Sequence, residues 1–414
     1  MKFLILTQYF LPEIGAAQTR LDAMVRQLSS RGHEVEVVTA FPNYPEGRIR
    51  AGYKRAIYRC ERLGGIPIHR VWLVASAGAG NKRLLNYLSF SVSCMWALLK
   101  AAKPDFVFIE SPPLFLGVPG LLAARMWGVP AIFNVADLWP DSIVDMGLMK
   151  DGLPIRMALK LERWLYRNVT YITAVTEGIR DTLLRKKGVP SEKVLFLPNG
   201  VDLEQCRPRD PDYELKSSLG LNGKKIILYQ GTQGFAHGLS AVLHTANLLR
   251  EDSEIHFLFV GAGSERSTLE ALKAKLKLTN VSFHDPVPMA TLGPYFSIAE
   301  CGLVSLRDTP LFRGARPAKV NSILGFAKPV IFFGQGEGAD LVRQAGAGLL
   351  VNHGDLDGLA AAVRQLVGDS ELAARLGRNA RKYAEEHLSW SILIDDWLRQ
   401  LSAQTQSVEP AFAS

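Results

Sequence analysis

Short apolar runs recur along this chain, each bounded by a loop and most followed by a stretch long enough for a helix. KFLILT at the start, the loop QYFLPEIGAAQTR, a helical stretch over 21–31 and the run GHEVEVVTA make one strand, helix, strand unit. DFVFIE (105–110), AIFNV (131–135), YITAV (171–175) and VLFL (194–197) continue the pattern, with a helical segment over 153–167. Strands this uniformly apolar are buried on both faces, which requires helices on either side of a parallel sheet. The fold class expected is α/β.

The pattern then begins a second time. KKIILYQG is followed by a helix over 239–250, HFLFVG, a helix over 265–276, VSFH, GLVSL and PVIFF. Between the two series lies a polar stretch carrying Pro208 and Pro211. The expected organisation is a domain over 1–203, a linker over 204–222 and a domain over 223–388. The amphipathic segment SWSILIDDWLRQL (389–401) has no strand after it and is expected to pack back on the first domain. A length of 414 residues fits two domains of about 200 residues each.

Apolar residues at 48% and charged residues at 21% exclude a disordered or collagen-like chain. Cys60, Cys94, Cys206 and Cys301 are far apart and form no CxxC pair, which excludes a zinc ribbon or a disulfide framework and points to the cytoplasm. The opening MKFLIL is interrupted by Gln8, Pro12 and Glu13 before an export signal's apolar region would be complete. Charge is uneven. Residues 1–200 carry 26 Lys+Arg against 16 Asp+Glu, whereas the remaining 214 carry 22 against 24. The first half is therefore expected to face an anionic partner: lipid headgroups, a phosphorylated substrate or nucleic acid. Nucleic acid is disfavoured, because no basic run is interleaved with aromatics and no helix-turn-helix or RNP pattern occurs.

Glycines mark three of the loops after strands: Gly15, then Gly231 and Gly234 in YQGTQG, then Gly261 and Gly263 in FVGAGSE. Glycine lets a backbone approach a phosphate closely, and it equally serves a tight strand-to-helix turn. The GxGxxG fingerprint of NAD and FAD sites is absent, as is a phosphate-loop lysine motif.

Taken together, YFLPEIGAAQTRL, RGHEVEVVT, FPNYPEG, DLWPDSIVDMG and LPNGVD resemble the glycosyltransferase family 4 enzymes, in particular the branch of colanic-acid and L-fucosamine transferases of bacterial surface polysaccharide assembly. The resemblance spans nearly the whole chain. It implies a GT-B fold, two Rossmann-like doubly wound domains facing a central cleft, with a nucleotide-sugar donor held mainly by the second and an acceptor mainly by the first. It also implies a retaining transfer, from a UDP-sugar by preference, to a lipid-linked or glycan acceptor such as those of O-antigen or exopolysaccharide assembly. No cofactor and no metal are expected.

Residue by residue, the resemblance gives Gly15 to the approach of the donor diphosphate. Gly231 and Thr232 stand where the family has Gly-Arg, and His237-Gly238 where Lys-Gly is common; Gly234 and Gly261 belong to the same donor loops. His237 is expected either to donate to an oxyanion or to be solvated. RPAKVNSILGFAKPVI matches PSKxxEYxAxGxPV. Lys319 is thereby the candidate to neutralise the leaving diphosphate, with Arg316 assisting, unless it is a surface lysine at a helix start. Ser322 replaces the glutamate expected to hold the donor ribose, and Gly314 stands where an acidic residue is common. With Thr232, these departures support an alternative: a catalytically impaired homologue acting as a non-catalytic subunit.

In the first domain, Asp137 of DLWP is the second catalytic candidate, orienting an acceptor hydroxyl or steadying positive charge on the sugar; otherwise it caps the following turn while Trp139 fills a core gap. Ala136 stands where related enzymes carry His or Arg. Finally, the apolar stretch 84–99 is flanked by Lys82, Arg83, Lys100 and Lys103. Its 16 residues are too few to span a bilayer, which leaves two readings: an interfacial helix on the inner face of the cell membrane, or a buried helix.

Overall fold

The computed structural model describes residues 1–13, 15–44, 46–76, 80–145 and 152–408, so the last two residues of DLWPDSIVDMG fall outside the described residues. The chain divides into two compact units, Met1–Pro198 with Leu393–Ser414, and Asn199–Ile392.

The first unit is built on an eight-stranded sheet of order β3-β4-β2-β1-β5-β6-β7-β8. Its strands are β1 (Lys2–Leu6), β2 (Glu34–Ala40), β3 (Tyr58–Leu63), β4 (Ile66–Val71), β5 (Phe106–Ser111), β6 (Ala131–Val135), β7 (Tyr171–Ala174) and β8 (Val194–Phe196). All pairings are parallel except β3 with β4. The helices α1 (Ala16–Ser30), α2 (Asn81–Leu98) and α3 (Gly117–Trp127) and the helix Leu153–Asn168 surround it. Leu4, Leu6, Val107, Ile109 and Phe133 from the strands meet Phe90, Leu116 and Leu165 in one core, and each such side chain removed from water contributes about 1.5–3 kcal/mol. From Leu393 onward the last helix, Trp390–Val408, belongs to this unit. Trp397 is fully buried there, its indole N–H donating to Thr173 Oγ1 at 3.3 Å, and Arg31 pairs with Asp395 at 2.6 Å.

The second unit carries a six-stranded, all-parallel sheet of order β11-β10-β9-β12-β13-β14. The strands are β9 (Lys225–Gln230), β10 (Ile255–Val260), β11 (Val281–His284), β12 (Ala299–Ser305), β13 (Val330–Phe333) and β14 (Gly348–Val351). The order is that of a doubly wound dinucleotide fold, whose ligands lie where the direction of winding reverses, here between the carboxyl ends of β9 and β12.

Two features depart from the sequence reading. The β3–β4 hairpin (YRCERL, IPIHRV) has no counterpart in it, because β3 is a half-exposed edge strand with Arg59, Glu61 and Arg62 rather than an apolar run. Residues 204–222 are no free linker but part of the second unit. Cys206 and Leu221 are buried, Asp212 caps the short helix Tyr213–Ser218, and its N–H donates to Ser297 Oγ at 3.1 Å. Two buried apolar anchors suffice to dock a mostly polar segment. Among the described residues, no helix is long and apolar enough to cross a membrane.

Candidate functional site

At the reversal point of the second sheet, β9 ends in Gln230 and the chain turns through Gly231 at φ +115°, a left-handed conformation that strains any side-chain-bearing residue. The neighbouring loop after β10 runs against it backbone to backbone. Gly231 N–H donates to Val260 at 2.9 Å, and Gln233 N–H to Ala262 at 2.8 Å. A Cβ on Gly261 would overlap the Gly231 carbonyl, and one on Gly263 the backbone of Gln233. The close approach of the two loops therefore requires glycine at 261 and 263 with or without a ligand. Gly234 is unlike them, with an extended backbone and no neighbour nearer than 3.7 Å to its Cβ direction. Thr232 is exposed at the loop tip.

Lys319 comes to this point from the opposite side, on the helix Ala318–Gly325 that follows β12. It is no surface lysine: only 9% of it is exposed, and its Nζ donates to Tyr229 Oη at 2.6 Å. Burial alone pushes its ammonium down to about 7. Among the described residues no carboxylate pairs with it. An unpaired buried cation at the carboxyl end of a parallel sheet is poised to receive an anion. On the same helix Ser322 is buried, and Arg316 and Gly314 lie half-buried on the approach.

His237 differs from both expectations made for it. It is largely enclosed, and burial, followed by the nearby Lys319, pushes its imidazole down to about 3. Its Nδ1 lies 3.2 Å from the Ser305 carbonyl, which can only accept, so the ring hydrogen is on Nδ1. The neutral ring presents a lone pair at Nε2 and no hydrogen for an oxyanion.

In the first unit, Gly15 sits extended at the start of α1, its Cβ direction filled by the Gln18 side chain. Beneath this loop Arg20 and Glu110 form a buried ion pair, and Asn134 Nδ2 donates to the other carboxylate oxygen at 2.8 Å. Burial raises the Glu110 carboxyl while Arg20 and Asn134 pull it back. Asp137 follows β6 and accepts from Ser142 Oγ at 3.0 Å; burial is the larger influence and raises its carboxyl. Trp139 packs edge-on against Phe115 at 5.7 Å.

The stretch 84–99 turns out to be two-faced. On α2, Asn86, Tyr87, Phe90, Cys94 and Ala97 are buried, while Leu84, Leu85, Leu88, Val92, Trp96 and, just past its end, Leu99 are exposed. Sequence reasoning passed over Tyr229, Gln233 and the Arg20–Glu110 pair. Gln233 is fully buried and ties the two glycine loops, its amide donating to the Gly261 carbonyl at 3.1 Å. No motif marks any of them, since each looks like ordinary strand, loop or helix sequence.

Glycine loops and a buried lysine meet at the reversal point of the second sheet, where a fold of this kind can offer a place to a phosphate-bearing ligand. Comparison with known proteins agrees and goes further. Residues 15–200 match the family described as "Glycosyl transferase 4-like domain", and residues 213–383 match "Glycosyl transferases group 1". The chain belongs to the glycosyltransferases that join these two domains, and it has the GT-B fold. It is 29% identical over 405 residues to the putative colanic acid biosynthesis glycosyl transferase WcaI of Escherichia coli K12, covering 94% of this chain and 96% of that protein. It is 26% identical over 412 residues to a GDP-mannose-dependent alpha-mannosyltransferase of Mycobacterium tuberculosis, covering 96% of each. Among solved structures, Anabaena Alr3699/HepE in complex with UDP and glucose superimposes with a TM-score of 0.73 at 16% identity, over 97% of this chain and 100% of that one. Sucrose-phosphate synthase of Thermosynechococcus elongatus does so with a TM-score of 0.77, also at 16% identity, over 98% and 99%.

Proposed function

We propose that this glycosyltransferase moves a hexosyl group from a UDP-sugar to a lipid-linked or glycan acceptor of surface polysaccharide assembly, such as O-antigen or exopolysaccharide, with retention at the anomeric carbon. The observation that carries the reading is Lys319, a buried amine beside the Gly231 turn with no acidic partner among the described residues. As the bond between the anomeric carbon and the phosphate oxygen breaks, negative charge grows on the diphosphate, and a preorganised ammonium stabilises it most at that moment. The acceptor oxygen bonds to the same face of that carbon, and its proton passes to the departing phosphate oxygen. Lys319 does here what a metal does elsewhere, so the reaction is assigned no metal. In the first unit Asp137 is given to the acceptor hydroxyl, which its half-buried carboxylate would orient.

UDP is favoured because a protein of like fold, HepE, has been solved with UDP-glucose; the mycobacterial relative is GDP-mannose-dependent, so GDP stands beside it. The protein is placed in the cytoplasm at the inner face of the membrane. The exposed apolar residues of α2 support this, joined by Leu122 and Met126 on α3 and by Leu153, Met157 and Trp164 on the helix Leu153–Asn168. Lys82, Arg83, Arg125, Arg156, Lys160 and Arg163 are exposed among them, and the one acid of these helices, Glu162, is buried. Such a surface suits anionic lipid.

A thermal-shift panel of UDP-, GDP- and dTDP-sugars tests the donor. A ligand at about 100 times its dissociation constant adds roughly 2.7 kcal/mol of stability. Stabilisation by one base alone fixes the donor class. No stabilisation by any would favour the non-catalytic subunit that Ser322, Gly314 and Thr232 allow.

A further inference from the structure

Among the described residues Lys319 has its single side-chain hydrogen-bond partner in Tyr229, and the direction of that bond is fixed by a third group. The phenol oxygen of Tyr229 lies 2.5 Å from the Thr232 carbonyl oxygen. A phenol has one hydrogen and a carbonyl only accepts, so that hydrogen points to Thr232 and a lone pair faces Lys319 Nζ at 2.6 Å. The chain of bonds runs from the amine through the hydroxyl to the backbone of the glycine loop. Tyr229 itself is closely packed. It is 1% exposed, lies against Phe259 with ring centres 5.6 Å apart, and meets His237 edge to face at 6.0 Å. Lys319 Nζ also stands 4.1 Å from the centre of the Tyr229 ring, within range of a cation–π contact, and 3.6 Å from where a Cβ on Gly231 would be.

A lysine stem has four rotatable bonds, and a flexible amine loses much of its effect on a developing charge unless something fixes it. We propose that Tyr229 is the positioning residue for Lys319. Its hydroxyl holds the amine against the 231–234 loop and spends one N–H of the ammonium, which leaves two directed at the oxygens of a nucleoside diphosphate. This rests on the reading above, in which Lys319 faces the donor diphosphate.

The test is a double-mutant cycle on the affinity of the intact protein for UDP and GDP, by calorimetric titration. Tyr229→Phe keeps the ring and the packing, and Lys319→Met removes the buried charge while keeping an apolar stem, so both are expected to fold. With one hydrogen bond lost, Tyr229→Phe should weaken the nucleotide that binds by about three- to tenfold. Lys319→Met should weaken it more than about tenfold, in the range of a lost charged hydrogen bond. The double variant should be no weaker than Lys319→Met alone, because a positioning hydroxyl has nothing left to position. An equal loss from Tyr229→Phe in both backgrounds means that the hydroxyl acts on the loop alone and overturns the proposal, as does no loss in the wild-type background. Unchanged affinity in Lys319→Met, or no binding of either nucleotide by the wild type, instead overturns the donor reading on which the proposal stands.

Discussion

Gly261 stands so close to Gly231 that a Cβ on the former would overlap the carbonyl oxygen of the latter, with its own φ at +151°. The two phosphate-loop candidates of the second unit are thus packed on each other, and neither can shift alone. Gly261→Ala should push the 231–234 loop away from Lys319. We expect a stability loss of about 1–3 kcal/mol from the overlap and the strained backbone. Nucleoside-diphosphate affinity should fall with it by more than about tenfold, which a titration alongside urea unfolding would measure.

Lys319 makes stability depend on pH in a stated direction. Its folded value lies at about 7, against roughly 10.4 in the unfolded chain. Below 7 the amine is charged in both states and its burial costs the most. Between the two values the unfolded chain holds a proton that the folded protein has released, so folding stability rises with pH, by at most about 1.4 kcal/mol per unit. Above both values the contribution is flat. Urea midpoints for the wild type should therefore gain on those of Lys319→Met from pH 7 to 9.5. Parallel curves would show that Lys319 is ordinarily hydrated. Nucleotide affinity should move the other way, falling as pH rises past 7, because an anion binds the charged amine.

The parallel sheets were legible because β1, β5, β6, β9 and β10 are continuous apolar runs, and the glycine turns after them carry their own signal. The edge hairpin was not, since Arg59, Glu61 and Arg62 give β3 the pattern of a loop. For α2, buried Phe90 and Cys94 and exposed Val92 and Trp96 are all apolar, so periodicity has no contrast to read. At the site, Lys319 could be placed by motif, but its burial depends on Tyr229, 90 residues away in sequence. His237 could be placed by motif too, whereas its neutrality follows from burial and then Lys319, and its tautomer from the Ser305 carbonyl, all of which only the folded chain brings to it.

The exposed face of α2 gives a third prediction. Leu85→Ser, Val92→Ser and Trp96→Ser together should leave the unfolding midpoint nearly unchanged, since these side chains are 53%, 75% and 53% exposed. Co-sedimentation with phosphatidylglycerol vesicles at low salt should drop sharply. Changing Lys82, Arg83, Lys100 and Lys103 to Gln should do likewise, at about 1 kcal/mol for each charge removed from an anionic surface. Wild-type protein that stays in the supernatant would remove the membrane from the account and leave the transferase in place.

Retention of configuration can be measured without knowing the acceptor, with water taking its place. The nucleotide sugar that stabilises the protein, α-linked at its anomeric carbon, would be incubated with wild type and Lys319→Met and followed by proton NMR from the first minutes. With retention, the free sugar should appear first as the α anomer and only later equilibrate, with release slowed by about ten- to a thousandfold in Lys319→Met, as expected for one lost charge at a developing anion. First appearance of the β anomer would contradict the retaining mechanism, and equal rates in the two proteins would contradict the role of Lys319.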